Sequence, residues 1–384
     1  MRKYLLFGSG ALALSALIII VWIVLALAGL PDVTFLKQYR PPAAAEVLDK
    51  DGNFLTHYYD RKFRIWAPLS GLPDIVIQAV VIAEDDTFFE HHGVNYRATW
   101  DALVHDVQKH RFARGGSTIT QQMIKNVLLS REKTISRKVR EYVLARKAEE
   151  ILTKRQILEI YLNEVEWGEN IYGIEAASRF YLDKHATELT PAEAALLAGM
   201  LPNPRYYNPF KRMEKARDRQ ERVLFNMQQA KIITPEEYAA ALSAPLTLRP
   251  EERSKLSLPG LVTKNGRPRY QHALEKILVA LFGEPALYRT GGTVKTTLDR
   301  GLQEELQHWE ESQPGGAPDK FDRVTVISQG EQIRAIVCAL DRESEVRSKL
   351  ESLGPLYGGC AVATVLPEAI RRDQVILSPV PGVK

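Results

Sequence analysis

The residues most suited to catalysis are three neighbouring carboxylates, Glu84, Asp85 and Asp86, which follow the apolar run 75–83. Glu84 falls at the helical spacing of that run's core-facing positions, and it lies where the predicted helix ends. Burial and the helix dipole both disfavour a negative charge there, so both raise a carboxyl pKa. A raised pKa suits a general base. The alternative is an acidic helix end that is simply solvated.

A second candidate is the glycine-rich segment 115–122, which reads GGSTITQQ. Thr118 and Gln121 have the spacing of a capping box, so a helix is expected to begin here. A helix N-terminus presents backbone N–H groups to an anion, and Lys125 adds a cation on the same face. The segment is not a nucleotide P-loop, because no Gly-Lys-Ser/Thr follows at the required spacing. An ordinary loop-to-helix start is the other interpretation.

The third candidate is the trio Arg137, Lys138 and Glu141, on a helix predicted from about 133 to 165. Lys138 and Glu141 head a stripe at alternating spacings of three and four that otherwise packs against the core, which indicates a cleft wall. The alternative is a surface salt bridge worth about 0–1 kcal/mol. Residues 131–159 hold nine Lys and Arg against five Glu. This excess favours a phosphate-bearing partner.

Together these segments suggest chemistry at a sugar linked to phosphate. Two separated carboxylates suit reactions at an anomeric centre. A cluster of lysines and arginines suits a pyrophosphate leaving group, because the charge that develops on it must be stabilised.

The elements that must position these residues are mainly helical. The pattern predicts short strands at 45–48 and 54–59, helices almost throughout 73–242, and a small α/β tail with strands near 324–328 and 333–339. The 384 residues allow two or three domains. A 45% hydrophobic content excludes a disordered chain, and a net charge of +4 indicates no bulk nucleic-acid binding. Two cysteines exclude a disulfide-stapled scaffold.

The first thirty residues predict a membrane anchor. The stretch 4–31 has 28 residues without charge, about 42 Å as a helix against a hydrocarbon core of about 30 Å. Signal-peptide apolar regions are shorter, so an uncleaved anchor is favoured over a cleaved leader. Arg2 and Lys3 place the N-terminus in the cytoplasm and the rest outside the inner membrane.

Five ordered motifs resemble those of the peptidoglycan glycosyltransferases of glycosyltransferase family 51. These occur as monofunctional enzymes and as the N-terminal half of class A penicillin-binding proteins. The motifs are ED-x-x-F-x-x-H-x-G at 84–93, GGST-x-x-QQ-x-x-KN at 115–126, RK-x-x-E at 137–141, a fourth at 154–173, and RR-x-x-VL at 219–224. The fifth departs from the family pattern, because Gln220 replaces the second arginine.

The resemblance implies a lysozyme-like helical domain that polymerises lipid II into β-1,4 glycan strands with inversion. By match, Glu84 would be the general base, and Glu141 would assist at the pyrophosphate and orient the cations. The implied substrate-binding residues are Asp85, Ser117, Gln121, Lys125, Lys133, Arg137 and Lys138. Lys133 stands where the family usually has arginine. The sequence shows no metal ligand set and requires no cofactor, and a divalent cation stays unassigned.

The predicted organisation is an anchor at 1–31, a glycosyltransferase domain at 41–245, a linker at 246–319 and a tail of unknown role at 320–384. The linker resembles the approach to a transpeptidase domain, but no S-x-N or K-T-G element follows, so no transpeptidase activity is expected. Cys338 and Cys360 fall in the tail, either bonded or free.

The expected partners are lipid II, the growing glycan chain and membrane lipid, with cell-wall synthesis proteins as a further candidate and no nucleic acid. A helical stripe of Trp100, Leu103, Val104 and Val107 would contact lipid, unless it packs as an ordinary surface helix. One rival function is a lytic hydrolase that uses Glu84 as an acid. The other is a non-catalytic scaffold that binds partners through its tail.

Overall fold

The computed structural model describes residues 2–97, 100, 116–130, 132, 134–249, 274–275, 278–279, 283–289, 291–299, 301, 324–329 and 332–338. The chain divides into two compact units. The first consists of Met1–Arg40 and Ala67–Leu248, and the second of Pro41–Trp66 and Arg249–Lys384. The domain boundaries drawn from the sequence stay predictions.

Helices dominate the described residues, which confirms the predicted mainly helical fold. The helices are α1 (Arg2–Leu27), α2 (Asp74–Glu84), α3 (Ile119–Leu128), α4 (Ile135–Ile151), α5 (Lys154–Glu164), α6 (Ile174–Leu182), α7 (Pro191–Met200), α8 (Met213–Gln229), α9 (Pro235–Ser243) and α10 (Glu284–Arg289). The strands are β1 (Ala45–Leu48), β2 (Phe54–Tyr58), β3 (Phe63–Arg64), β4 (Glu166–Gly168), β5 (Ile171–Tyr172), β6 (Thr293–Lys295), β7 (Val324–Gln329) and β8 (Gln332–Cys338).

Threonine capping boxes begin four helices of the first unit, and they explain where these helices start. Thr118, Thr153, Thr190 and Thr234 each accept a hydrogen bond from the backbone N–H three residues later, where a Gln or Glu side chain bonds back to the cap. Such a cap contributes about 1 kcal/mol. The box at Thr118 confirms the sequence prediction.

The single long helix predicted from 133 to 165 is wrong. Helix α4 ends at Ile151, and Leu152 leaves the helical conformation with an extended backbone. Thr153 then caps α5 through its capping box with Gln156. The apolar stripe runs across the break, so periodicity alone could not reveal it, whereas the Thr-x-x-Gln spacing is a start signal.

Helix α1 covers most of the segment predicted as an anchor, and its side chains are described at 14, 15 and 17–27. Within the described residues, no helix is both long and apolar enough to cross a membrane. The anchor and its orientation stay predictions.

Two groups of packed helices position the residues of interest in the first unit. Helix α2 packs against α7 and α8, which also pack against each other. Helix α3 packs against α4 and α5. The departure at Gln220 fits this core, because its buried amide nitrogen donates to the Ala192 carbonyl at 2.8 Å and so ties α8 to α7.

The second unit holds the predicted short strands. β1 pairs antiparallel with β2 and parallel with β6, which confirms the strands expected at 45–48 and 54–59. β7 and β8 form an antiparallel hairpin in which Val324 faces Cys338, close to the two strands expected in the tail. Cys360 and the remainder of the tail lie outside the described residues.

Candidate active site

Glu84 is the last residue of α2 and lies half-buried beside α3. The preceding positions of its stripe, Ile77, Val80 and Val81, are buried, as their spacing predicted. One carboxylate oxygen, Oε2, accepts a hydrogen bond from Nε2 of Gln122 at 2.6 Å. The helix fixes the backbone and the amide fixes the side chain, so the carboxylate is held in one orientation.

The surroundings of Glu84 favour its protonated form. Desolvation raises the pKa of Glu84 above its ordinary value, and the nearby Asp85 charge adds to this effect. The Gln122 hydrogen bond and the charges of Arg219 and Lys125 act in the opposite direction without cancelling it. Glu84 therefore has a greater affinity for a proton than an exposed glutamate.

Asp85 belongs to the first motif and is hydrogen-bonded to the second. Its carboxylate lies 3.0 Å from Nε2 of His91 through both oxygens, and Oδ2 accepts the backbone N–H of Ile119 at 3.0 Å. That N–H is one of the unpaired donors at the start of α3, where a negative charge is stabilising. Asp85 thus joins the end of α2 to the start of α3.

Gly93 lets the loop after Asp85 approach α4. Its φ is +86°, a conformation that favours glycine, and a β-carbon there would lie 2.7 Å from the Ala145 carbonyl oxygen. The carbonyl of Gly93 accepts a hydrogen bond from the Thr118 hydroxyl at 2.7 Å. The glycine of the first motif is therefore required by close packing against the second motif and against α4.

Glu141 gathers the cations of the third motif. Its side chain is only 2% exposed; Oε2 lies 2.7 Å from Nη1 of Arg137, and Oε1 pairs with the Lys138 ammonium. Lys138 also donates to the Ser117 hydroxyl at 2.7 Å. One buried carboxylate thus fixes two partly exposed cations and links them to the glycine-rich turn.

Lys125 joins the two carboxylate regions. Its side chain is exposed, and within the described part of the chain its ammonium has no hydrogen bond or ion pair. Partial desolvation lowers the pKa of Lys125, and the charges of Arg137 and Lys138 lower it further, whereas Glu141 and Glu84 raise it. An anion placed among these three cations would relieve their mutual repulsion.

Gln121 serves the fold in this structure. Its side chain is fully buried, and its carbonyl oxygen accepts the backbone N–H of Thr118 at 2.9 Å as part of the capping box. Lys133 and Gly115 lie outside the described residues. Of the proposed lipid-contacting stripe, Trp100 is described, and it is 65% exposed.

Comparison with known protein families gives a match to the segment that holds these residues. A family model described as Transglycosylase matches residues 51–228. These residues form a transglycosylase domain.

Relatives share this domain within much longer chains. Penicillin-binding protein 1A of Aquifex aeolicus is 41% identical over 228 residues, which are 59% of this chain and 31% of the relative. Penicillin-binding protein 1A of Vibrio cholerae is 34% identical over 71% of this chain and 32% of its own length. Penicillin-binding protein 2D of Bacillus subtilis is 33% identical over 79% of this chain and 42% of its own. The chain therefore spans between 31% and 42% of these relatives.

Among solved structures, the crystal structure of penicillin-binding protein 1A from Haemophilus influenzae resembles the chain with a TM-score of 0.37 and 19% identity. The similarity covers 83% of this chain and 35% of that one.

Three side chains of the transglycosylase domain that touch or influence Glu84 were not among the predicted site residues. Gln122 donates a hydrogen bond to the carboxylate. Tyr161 on α5 in turn contacts Gln122, with its hydroxyl 3.5 Å from Oε1 of Gln122. Arg219 on α8 contributes a positive charge. Arg219 opens the fifth motif, and the spacing of the buried positions Ala216 and Val223 places it beside the inward stripe of α8, so both signals could have revealed it.

Metal binding has no structural support in the described part of the chain, where no group of three or more His, Cys, Asp or Glu side chains could hold an ion.

Proposed function

We propose that the transglycosylase domain polymerises lipid II, a disaccharide-peptide carried on a lipid pyrophosphate, into β-1,4 glycan strands. The observation that carries this proposal is the contrast between two carboxylates near Lys125. Glu84 has a raised pKa, Glu141 pairs with Arg137 and Lys138, and the charges of both glutamates act on Lys125.

Glu84 is the general base in this proposal. It removes the proton from the acceptor sugar's 4-hydroxyl as that oxygen attacks the anomeric carbon of the donor. The new C–O bond forms as the bond between the anomeric carbon and the pyrophosphate oxygen breaks, and the leaving group takes the electron pair. A single displacement inverts the configuration. The raised pKa of Glu84 brings its proton affinity closer to the working pH, where a base is most effective.

The cations stabilise the departing pyrophosphate. Lys125 has no partner among the described residues, and Arg137 and Lys138 keep part of their surface exposed. Charge-assisted bonds to phosphate oxygens are about twice as strong as neutral ones. Glu141 holds Arg137 and Lys138 in place before substrate arrives, so little reorganisation accompanies the reaction. Lys133, Asp85 and Ser117 complete the proposed substrate-binding set, whereas the buried Gln121 supports it through the cap of α3.

The lytic alternative fits this cleft less well. A hydrolase that cleaves a neutral glycan strand needs an acid and a water molecule, but it has no pyrophosphate to neutralise. Three cations around a buried glutamate would then have no chemical role, and their mutual repulsion would destabilise the protein without aiding catalysis.

The location proposed for the reaction is the outer face of the bacterial inner membrane. The uncharged stretch at 4–31 and the preceding Arg2 and Lys3 support an anchor of that orientation. Exposed Trp100 supports contact with membrane lipid beside the lipid-linked substrate.

The test is incubation of the detergent-solubilised full chain with labelled lipid II, followed by separation of the products by size. A ladder of polymer is expected from the natural chain. Glu84→Gln should reduce it by about a thousandfold, because a general base contributes roughly 10²–10⁴-fold. The matched control is Glu90→Gln, an exposed glutamate in the adjoining turn, which should leave the ladder intact.

Polymer from Glu84→Gln at the natural rate would contradict the assignment of the base. Absence of polymer from folded natural chain that still binds lipid II would instead favour the scaffold alternative.

A further inference from the structure

Arg219 lies in α8 and opens the fifth motif, whereas the proposed catalytic and substrate-binding residues come from the first three motifs and from Lys133 between two of them. Helix α2, which ends at Glu84, packs against both α7 and α8. Arg219 is half-buried where α8 meets α7. None of the roles assigned above uses its charge, which makes the side chain a candidate for a role of its own.

The guanidinium of Arg219 is held in place from two sides. Its Nε donates to the carbonyl oxygen of Gly199 at 3.3 Å, and its central carbon lies 5.5 Å from the centre of the Tyr207 ring, within the range of a cation–π contact. Both contacts leave the positive charge in place. Among the described residues, the arginine is therefore held without an ion pair to a carboxylate.

Close helix packing brings Arg219 to this position. A β-carbon at Gly199 would lie 3.1 Å from the β-carbon of Arg219 and 3.2 Å from the backbone nitrogen of Gln220. The absence of a side chain at Gly199 lets α8 approach α7 at Arg219, and Gln220 next to it ties the same helices through Ala192. The arginine thus projects from a closely packed pair of helices.

The charged and titratable groups that act on Glu84 come from each side of it. Asp85 follows it in the chain, Lys125 comes from α3, Tyr161 from α5 and Arg219 from α8. The positive charge of Arg219, like that of Lys125, opposes the effect of desolvation on the Glu84 carboxylate. Lys125 belongs to the proposed pyrophosphate site, so an incoming substrate would engage its charge, whereas Arg219 is held by the protein itself.

We propose that Arg219 is the positioning residue that keeps Glu84 ionised, by presenting to it a positive charge fixed by Gly199 and Tyr207. This inference rests on the proposed function, because it concerns the protonation state of the proposed base. Without Arg219, burial of Glu84 would leave a larger share of the molecules with a protonated carboxyl that cannot accept the acceptor sugar's proton.

The experiment is the pH dependence of lipid II polymerisation by the full chain and by Arg219→Gln. Removal of the positive charge should move the acid limb of the rate profile to higher pH, with a roughly tenfold loss of rate at the acid end. The rate should approach that of the natural chain at alkaline pH. Arg219→Lys, which keeps the charge, should restore most of the profile.

The matched control is Arg222→Gln, the same charge change at an exposed position of the same helix. Its profile should coincide with that of the natural chain. A loss by the same factor at every pH in Arg219→Gln, or an unmoved acid limb, would overturn the inference, because either result is what a purely structural role predicts.

If Arg219→Gln does not fold, as judged by its thermal unfolding, Tyr207→Leu decides the question. This variant keeps the charge but releases the guanidinium from the ring, so the acid limb should move in the same direction by a smaller amount. An unmoved limb in Tyr207→Leu would overturn the inference. Absence of polymer from the natural chain at any pH would overturn the proposed function and is distinguishable from both results.

Discussion

Glu84 and Glu141, the two glutamates of the proposed active site, have opposite surroundings. Glu84 ends a helix whose dipole disfavours its charge, and its described hydrogen-bond donor is the neutral amide of Gln122. Glu141 is buried within a helix, and two cations, Arg137 and Lys138, pair with its carboxylate. The comparison teaches that a desolvated carboxylate with only more distant positive charges is suited to accept a proton, whereas one in direct contact with two cations is suited to organise charge. This difference separates the two proposed roles.

The largest effect in the Glu141 region is expected from Lys138→Met. The substitution keeps an unbranched side chain of similar length but removes a preorganised positive charge, and the loss of one such group typically lowers the rate by about 10²–10³-fold. We expect kcat/KM for lipid II to fall by about a hundredfold, while inhibition by inorganic pyrophosphate weakens. Steady-state kinetics measure both quantities.

The control for that substitution is Lys147→Met, an exposed lysine on the same helix, which should leave both quantities near their natural values. Equal losses in the two variants would mean that the net charge of α4, not the cluster at Glu141, governs activity.

Glu141→Gln should affect stability as well as activity. The substitution keeps the shape but leaves Arg137 and Lys138 without their counter-ion. Because both cations retain some exposure (16% and 34% of their side chains), water can compensate in part. We expect the free energy of unfolding to fall by about 1–3 kcal/mol, with roughly tenfold lower activity. Denaturant unfolding measures the first quantity, and an unchanged midpoint would contradict this account of the pair.

Glu84→Gln should have the smallest effect on stability. Unlike Glu141→Gln, it should not lower the free energy of unfolding at neutral pH. Since the pKa of Glu84 is raised in the folded state, the folded protein binds its proton more tightly than the unfolded chain. The stabilisation that Glu84 contributes is fully present below its pKa in the unfolded chain, and it declines as the pH rises through its pKa in the folded protein. At neutral pH the ionised side chain is therefore a net cost that glutamine removes.

The melting temperature of Glu84→Gln at neutral pH should thus equal or exceed that of the natural chain, and the difference should disappear near pH 4. A lower melting temperature at neutral pH would show that the carboxylate contributes to the fold, and the comparison with Glu141 would lose its basis.

The sequence predicted the residues of this site better than the helix boundaries and distant contacts that position them. The helical spacing before Glu84, the capping box at Thr118 and the pairing of Arg137 with Glu141 were all readable, because each depends on residues within one or two helical turns. The break at Thr153 was missed because an apolar stripe continued across it.

Contacts between distant segments could not be predicted in the same way. Asp85 bonds to Ile119, 34 residues later, and Arg219 lies 135 positions after the glutamate that it influences. Neither distance in the chain carries a periodic signal. Only the packing of α2 against α8 and the approach of α3 to the loop after α2 bring these groups together.

The measurement that tests the central claim most directly is the pH–rate profile of lipid II polymerisation for the natural chain and for Glu141→Gln. If Glu84 is the base and Glu141 only orders the cations, the natural chain should show an acid limb above the ordinary range of a glutamate. Glu141→Gln should lower the height of the profile and leave that limb in place. An acid limb that disappears or moves substantially in Glu141→Gln would contradict the account, because the titrating base would then be Glu141.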